Sequence, residues 1–89
     1  MEVTEDINWL KDDEEGVGKV FMLIANRGGA KLRELRELFG TADWWPVKSH
    51  LRALIGRNLV IGAEGIYKLT ENGRKVLEGF KAMEYVEPV

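Results

Sequence analysis

Glycines divide the middle of this chain into short amphipathic segments, and this division limits the fold more than any other feature of the sequence. Across residues 17–24 apolar side chains recur at helical spacing, and Gly28 and Gly29 then end the first predicted helix. Residues 31–39 repeat the helical pattern, and Gly40 ends it. The sequence therefore predicts two short helices in succession.

A third helix is predicted to follow Asp43. Asp43 is a good N-cap residue, because Pro46 then falls in the first turn, where its missing N–H costs no intrahelical bond. This helix is expected to run to about Asn58. A helical wheel divides it into a core stripe and an outer side. The core stripe holds Val47, Leu51, Leu54 and Ile55, and the outer side holds Trp45, Ser49, Arg52, Ala53 and Gly56.

Two β-prone runs and a final helix complete the pattern. Residues 59–61 and 66–69 are the runs, and the turn at 62–65 between them predicts a hairpin. Thr70 can cap a last helix that carries Val76, Leu77 and Phe80. The predicted fold class is α+β and mostly helical: a three-helix bundle, a two-stranded hairpin and a C-terminal helix.

Length and composition predict one domain. Residues 16–80 are expected to form it, after an acidic arm or short helix at 1–15 and before the end of the C-terminal helix and tail at 81–89. The chain has no cysteine, and its acidic start is unlike a signal peptide. We therefore expect a cytoplasmic protein with no disulfide, thiolate metal site or membrane segment.

Charge is distributed unevenly along the chain. Residues 1–15 hold seven acidic residues against one lysine, a balance of −6, and residues 27–75 hold ten basic against five acidic residues, a balance of +5. The middle of the chain is therefore the part suited to an anionic partner. The acidic start would repel phosphate, and one hypothesis is that it shields the basic part.

Two motifs resemble those of winged-helix transcription regulators of the ArsR and MarR type. The stretch VKSHLRAL at 47–54 resembles the family's recognition helix, and YKLTENG at 67–73 resembles its second wing strand and capped final helix. The resemblance implies duplex DNA as partner and dimerisation through elements outside the winged core. Two segments could serve: the N-terminal one with Ile7, Trp9 and Leu10, or the final helix with Phe80, Met83 and Tyr85.

The DNA contacts that follow fall into two groups. A recognition helix meets base edges with its N-terminal half, so the base candidates are Trp45, Lys48, Ser49 and Arg52. Other basic residues would neutralise phosphate: Arg33, Arg36, Arg57, Lys68, Arg74 and Lys75. The hairpin tip around Glu64 is acidic, whereas family wings that reach a minor groove usually carry Arg or Lys.

Other functions remain open. Lys48, Arg52 and Arg57 could form an ordinary solvated helix face. The side of the third helix with Trp45, Ser49, Ala53 and Gly56 could instead bind a protein. Catalysis is not expected, because the chain has one histidine, one serine and no cysteine. We expect no cofactor and no metal, since the lone His50 cannot assemble a metal site and more often packs beside a core.

Overall fold

The computed structural model describes residues 3–12 and 16–85, with side chains for 4–12 and 16–82. The fold is α+β and mostly helical, which confirms the predicted class at this level. In chain order the elements are α1 (Val3–Asp12), α2 (Val17–Arg27), β1 (Ala30–Lys31), α3 (Leu32–Phe39), α4 (Trp45–Gly56), β2 (Val60–Ala63), β3 (Ile66–Leu69) and α5 (Glu71–Tyr85). No helix of these described ranges is long and apolar enough to cross a membrane.

The predicted hairpin is present, but it belongs to a larger sheet. β2 and β3 pair antiparallel and are joined by Glu64 and Gly65, which both have positive φ, as a two-residue hairpin turn requires. β1 pairs with the other edge of β3, placing Ala30 opposite Tyr67, so the sheet has three strands in the order β1-β3-β2. The two-stranded hairpin is as expected, but β1 was not predicted, because a strand of two residues is too short to show an alternating pattern.

The acidic start of the chain contributes a helix to the hydrophobic core. Of the two alternatives for residues 1–15, a short helix is present as α1, and its Ile7 and Leu10 are buried. They join one cluster with side chains from α2, α3, α4, the sheet and α5. The largest fully buried members of this cluster are Phe21, Ile24, Leu35, Leu54 and Leu59.

The bounds of α4 differ from the predicted third helix. Trp44 occupies the N-cap position, and the backbone N–H of Asp43 instead donates to Thr41 Oγ1 at 3.1 Å. Pro46 lies in the first turn, as predicted. The helix ends at Gly56, and Asn58 takes the left-handed conformation with φ 61°, which asparagine tolerates well. The helix therefore ends earlier than the sequence indicated, whereas β2 begins at Val60, one residue after the start of the predicted run.

Thr70 ties the sheet to the helices on both sides of it. Its Oγ1 accepts a hydrogen bond from the Gly73 backbone N–H at 2.9 Å, which confirms the predicted cap of α5. The same hydroxyl donates to the Asn58 carbonyl at 2.6 Å, and the Thr70 N–H donates to the Leu59 carbonyl at 3.0 Å. The N–H of Leu59 in turn donates to the Leu54 carbonyl of α4 at 3.0 Å. These bonds fix the position of the hairpin relative to α4.

Candidate nucleic-acid interface

One side of α4 faces the core and the other side is free. Val47, Leu51 and Leu54 are buried, and this turns the base candidates outward. We call the exposed set Trp45, Lys48, Ser49 and Arg52 the outer face of α4. α4 contains no acidic residue, so its two cations are not neutralised within the helix.

Ile55 does not belong to the core stripe to which the helical wheel assigned it. Its side chain is 44% exposed, because Leu59 and Val60, fully buried just beyond the helix, occupy the core at this end of α4. Ala53, assigned to the outer side, is half-buried and packs against the core cluster. The apolar and polar sides of α4 are therefore rotated slightly from the wheel near its C-terminus.

A cleft between α4 and β3 extends the outer face. It has a volume of about 270 Å³, and Lys48 and Arg52 line it together with Tyr67 of β3. Its remaining walls are apolar: Leu32, Leu51 and Ile55. We call it the α4–β3 cleft. Tyr67 was not among the predicted site residues. The alternation of β3 is the signal that could have indicated it, since Tyr67 lies opposite Gly62 and on the face away from Lys68.

The two tryptophans at the start of α4 are each paired with an arginine. Trp45 is 64% exposed, and the guanidinium carbon of Arg52 lies 5.7 Å from its ring centroid. The guanidinium of Arg36 stacks on Trp44 at 4.2 Å and donates to the Ala42 carbonyl at 3.2 Å. Arg36, a phosphate candidate, is therefore engaged by the loop between α3 and α4.

Arg57, another phosphate candidate, is engaged by α1. Its Nη1 donates to Asp6 Oδ1 at 2.9 Å, and its guanidinium carbon lies 4.2 Å from the centroid of the Trp9 ring. The Asp6 side chain is 5% exposed, so the carboxylate is almost enclosed. Stacking and ion pairing hold this guanidinium in place. α1 thus occupies one predicted DNA contact and leaves Lys48 and Arg52 exposed.

The remaining phosphate candidates do not form one surface with the outer face of α4. Lys68 and Arg74 line a separate cleft of about 210 Å³ beside Gly28, at the end of α2. Lys68 is on the face of β3 opposite to Tyr67, since successive strand residues point to opposite sides. Arg33 on α3 and Lys75 on α5 are exposed. The structure brings Lys48 and Arg52 together at one site, and Lys68 and Arg74 at another.

The residues considered for dimerisation have different environments. Ile7 and Leu10 are buried in the core of this chain, and Trp9 is half-buried under Arg57. Phe80 is half-buried against the core. The side chains of Met83 and Tyr85 lie outside the described residues. The apolar side chains of α1 therefore serve the fold of the single chain.

His50 packs inside the fold, as the sequence analysis favoured. It is 7% exposed, and its ring centroid lies 5.6 Å from that of Phe39. Among the side chains that the structure describes, no group of three or more histidine or acidic residues could hold a metal ion.

Glu34 shows the clearest electrostatic perturbation. The backbone N–H of Lys31 donates to Glu34 Oε1 at 3.0 Å, and Arg27 Nη2 donates to Oε2 at 2.5 Å. These two hydrogen bonds, the backbone one first, lower the pKa of Glu34 from its ordinary value of 4.5. Glu34 thereby caps the start of α3 and neutralises a cation at the end of α2, away from the outer face of α4.

Comparisons with protein-family models, with curated proteins and with solved structures find no match for this chain.

Proposed function

We propose that this chain is a winged-helix protein that binds duplex DNA through the outer face of α4 and acts as a transcription regulator. In this proposal α3 and α4 form the helix-turn-helix, and the β2–β3 hairpin is the wing. One observation carries the proposal. Lys48 and Arg52 project side by side from a helix without acidic residues, and the opposite side of that helix is fixed in the core.

The chemistry of these side chains fits a base-reading role. The planar guanidinium of Arg52 can donate two hydrogen bonds to guanine O6 and N7, and Lys48 can reach guanine or a phosphate. Ser49 is exposed beside Lys48 and can donate to or accept from either strand. Arg33, Lys68, Arg74 and Lys75 remain phosphate candidates. Arg36 and Arg57 would have to give up contacts with their own chain to reach a phosphate.

The test is a titration of fluorescently labelled duplex, selected from a random pool, over a range of salt. Arg52→Ala should weaken binding to the selected site by about 1–3 kcal/mol and relax one base position. Arg74→Ala is the matched control, because it removes the same charge from a phosphate candidate that lies outside the outer face of α4. It should weaken all sequences alike and reduce the salt slope by about 1.

Two results would contradict this proposal. Absence of binding at low salt would remove DNA as the partner. Equal, sequence-independent losses for Arg52→Ala and Arg74→Ala would reduce Arg52 to a general phosphate contact.

A second candidate function is protein binding by the same region, and the exposure of three large apolar side chains favours it. Trp45, Ile55 and Ile61 are 64%, 44% and 56% exposed. Large aromatic side chains are frequent anchors of protein interfaces. Under this alternative Trp45→Ala would abolish capture of a protein partner, and Lys48→Ala with Arg52→Ala would have little effect on it.

A further inference from the structure

Two aromatic rings lie near Arg52, and sequence-specific reading of intact duplex does not explain them. Trp45 stacks loosely on the Arg52 guanidinium, at 5.7 Å. Tyr67 lines the α4–β3 cleft together with Arg52. An exposed tryptophan and a second aromatic ring beside two cations are unusual on a protein surface that only contacts water.

Base pairs inside a duplex offer their edges to a protein, and their ring faces are covered by neighbouring pairs. Aromatic side chains therefore gain little from stacked bases. They gain much from unpaired bases, whose free ring faces stack on them while basic groups neutralise the adjoining phosphates. This part of the surface combines both features, since Arg52 lies 5.7 Å from the exposed Trp45 ring and lines the α4–β3 cleft together with Lys48 and Tyr67.

The α4–β3 cleft has the volume and lining for one aromatic ring. Its volume of about 270 Å³ is just below the range of about 300–1,000 Å³ that is usual for drug-sized ligands. Leu32, Leu51 and Ile55 supply apolar contact, and the two cations stand at the same site. An unpaired nucleobase with its phosphate could contact the Tyr67 ring, the apolar side chains and the two cations.

We propose that the outer face of α4 prefers DNA that carries an unpaired base next to the duplex, with unpaired bases stacked on Trp45 and in the α4–β3 cleft against Tyr67. This inference rests on the proposed function, because it takes α4 as the DNA-binding surface. It adds the class of DNA that this surface selects.

The experiment compares two labelled DNAs of one sequence, a fully paired duplex and the same duplex with a two-nucleotide bulge, titrated at one salt concentration. The bulged DNA should bind about 5- to 150-fold more tightly for each base that stacks. Binding of the bulged DNA should also quench tryptophan emission. Trp45→Leu keeps an apolar side chain without the ring, so it should lose much of the preference and of the quenching.

Three further variants separate stacking from other effects. Trp44→Leu is the matched control, because Trp44 stacks on Arg36 rather than Arg52, and it should keep the preference. Tyr67→Phe retains the aromatic ring and should retain the preference for bulged DNA, whereas Tyr67→Leu should reduce that preference. Circular dichroism and thermal unfolding establish that each variant is folded.

The outcomes distinguish this inference from the proposed function. If the paired duplex binds and the bulge brings no gain, the stacking inference is wrong and the proposed function stands. If the bulged DNA binds better but Trp45→Leu and Tyr67→Leu leave the preference intact, the assignment of the rings is wrong. If neither DNA binds and a protein partner is captured through Trp45, both proposals fail.

Discussion

Gly73→Ala should destabilise the protein, although alanine is the better helix former. Gly73 is the third residue of α5 and donates its N–H to the cap hydroxyl of Thr70. A Cβ atom at this position would lie 2.1 Å from the Leu59 carbonyl oxygen and 3.2 Å from Leu69 Cβ. The Leu59 oxygen is a backbone atom that already accepts a hydrogen bond from the Thr70 N–H, so it cannot move aside freely.

The size of the effect follows from opposing contributions. Alanine in place of glycine would stabilise a helix interior by about 0.8–1.0 kcal/mol. Forcing an extra methyl into a packed site costs about 1–3 kcal/mol, and loss of the Thr70 hydrogen bond to Leu59 costs a further 0.5–1.5 kcal/mol, roughly. We expect the free energy of unfolding to fall by about 2 kcal/mol. In a domain of this size that lowers the melting temperature by roughly 8–16 °C.

Urea and thermal unfolding of Gly73→Ala and Gly56→Ala provide the measurement. Gly56 is the matched control, because it is also helical, and a Cβ there would meet nothing within 4 Å. Gly56→Ala should leave stability unchanged or raise it by up to about 1 kcal/mol. Equal stabilisation by both substitutions would refute the close approach of α5 to Leu59, and with it the account of how the hairpin is fixed.

Three further predictions concern the polar contacts. Asp6→Asn removes the charge that pairs with Arg57 in an almost enclosed site, so unfolding by urea should become easier by about 1–3 kcal/mol; an unchanged midpoint would contradict the pairing. Thr70→Val keeps the shape and removes the cap, at a cost of about 1 kcal/mol, whereas Thr70→Ser should retain most of the stability. Glu34→Gln should make the protein lose less stability in acid. The pKa of Glu34 is lower in the native state than its unfolded-state pKa near 4.5, so its ionised carboxylate stabilises the fold above pH 4.5. That stabilisation disappears as the pH falls through the native pKa, and glutamine cannot supply it. Melting temperatures measured from pH 7 down to pH 3 check this last prediction, and identical slopes for both proteins would oppose it.

Much of the fold could be predicted from local patterns. Each of the signals used depends on only a few neighbouring residues: the helical spacing in residues 17–24 and 31–39, the capping hydroxyl of Thr70 and the β-prone runs. The elements that they predict, α2, α3, the α5 cap and the hairpin, are all present. The burial of Val47, Leu51 and Leu54 follows from the period of a helix. Local chemistry decided these features, so the sequence alone was sufficient.

Contacts between distant segments could not be predicted in this way. Asp6 and Arg57 are 51 residues apart, and nothing near either residue signals their pairing. Ile55 has the right helical phase for the core, but Leu59 and Val60 fill the space, and a wheel contains no information about the chain beyond the helix. The α4–β3 cleft depends in the same way on how the hairpin lies against α4. The candidate site was therefore found in part, with Lys48 and Arg52 but without Tyr67.

Because α1 is anchored in the core by Ile7 and Leu10, the charge of the acidic start cannot be removed by truncation without disturbing the fold. A truncated protein beginning at residue 16 would lose Ile7 and Leu10, uncover the apolar surface beneath them and free Arg57 at the same time. Any change in DNA affinity would then mix electrostatics with misfolding. Neutralising exposed acids such as Glu5 and Asp12 to their amides alters the charge and keeps the helix, so it isolates long-range repulsion from the architecture that α1 supports.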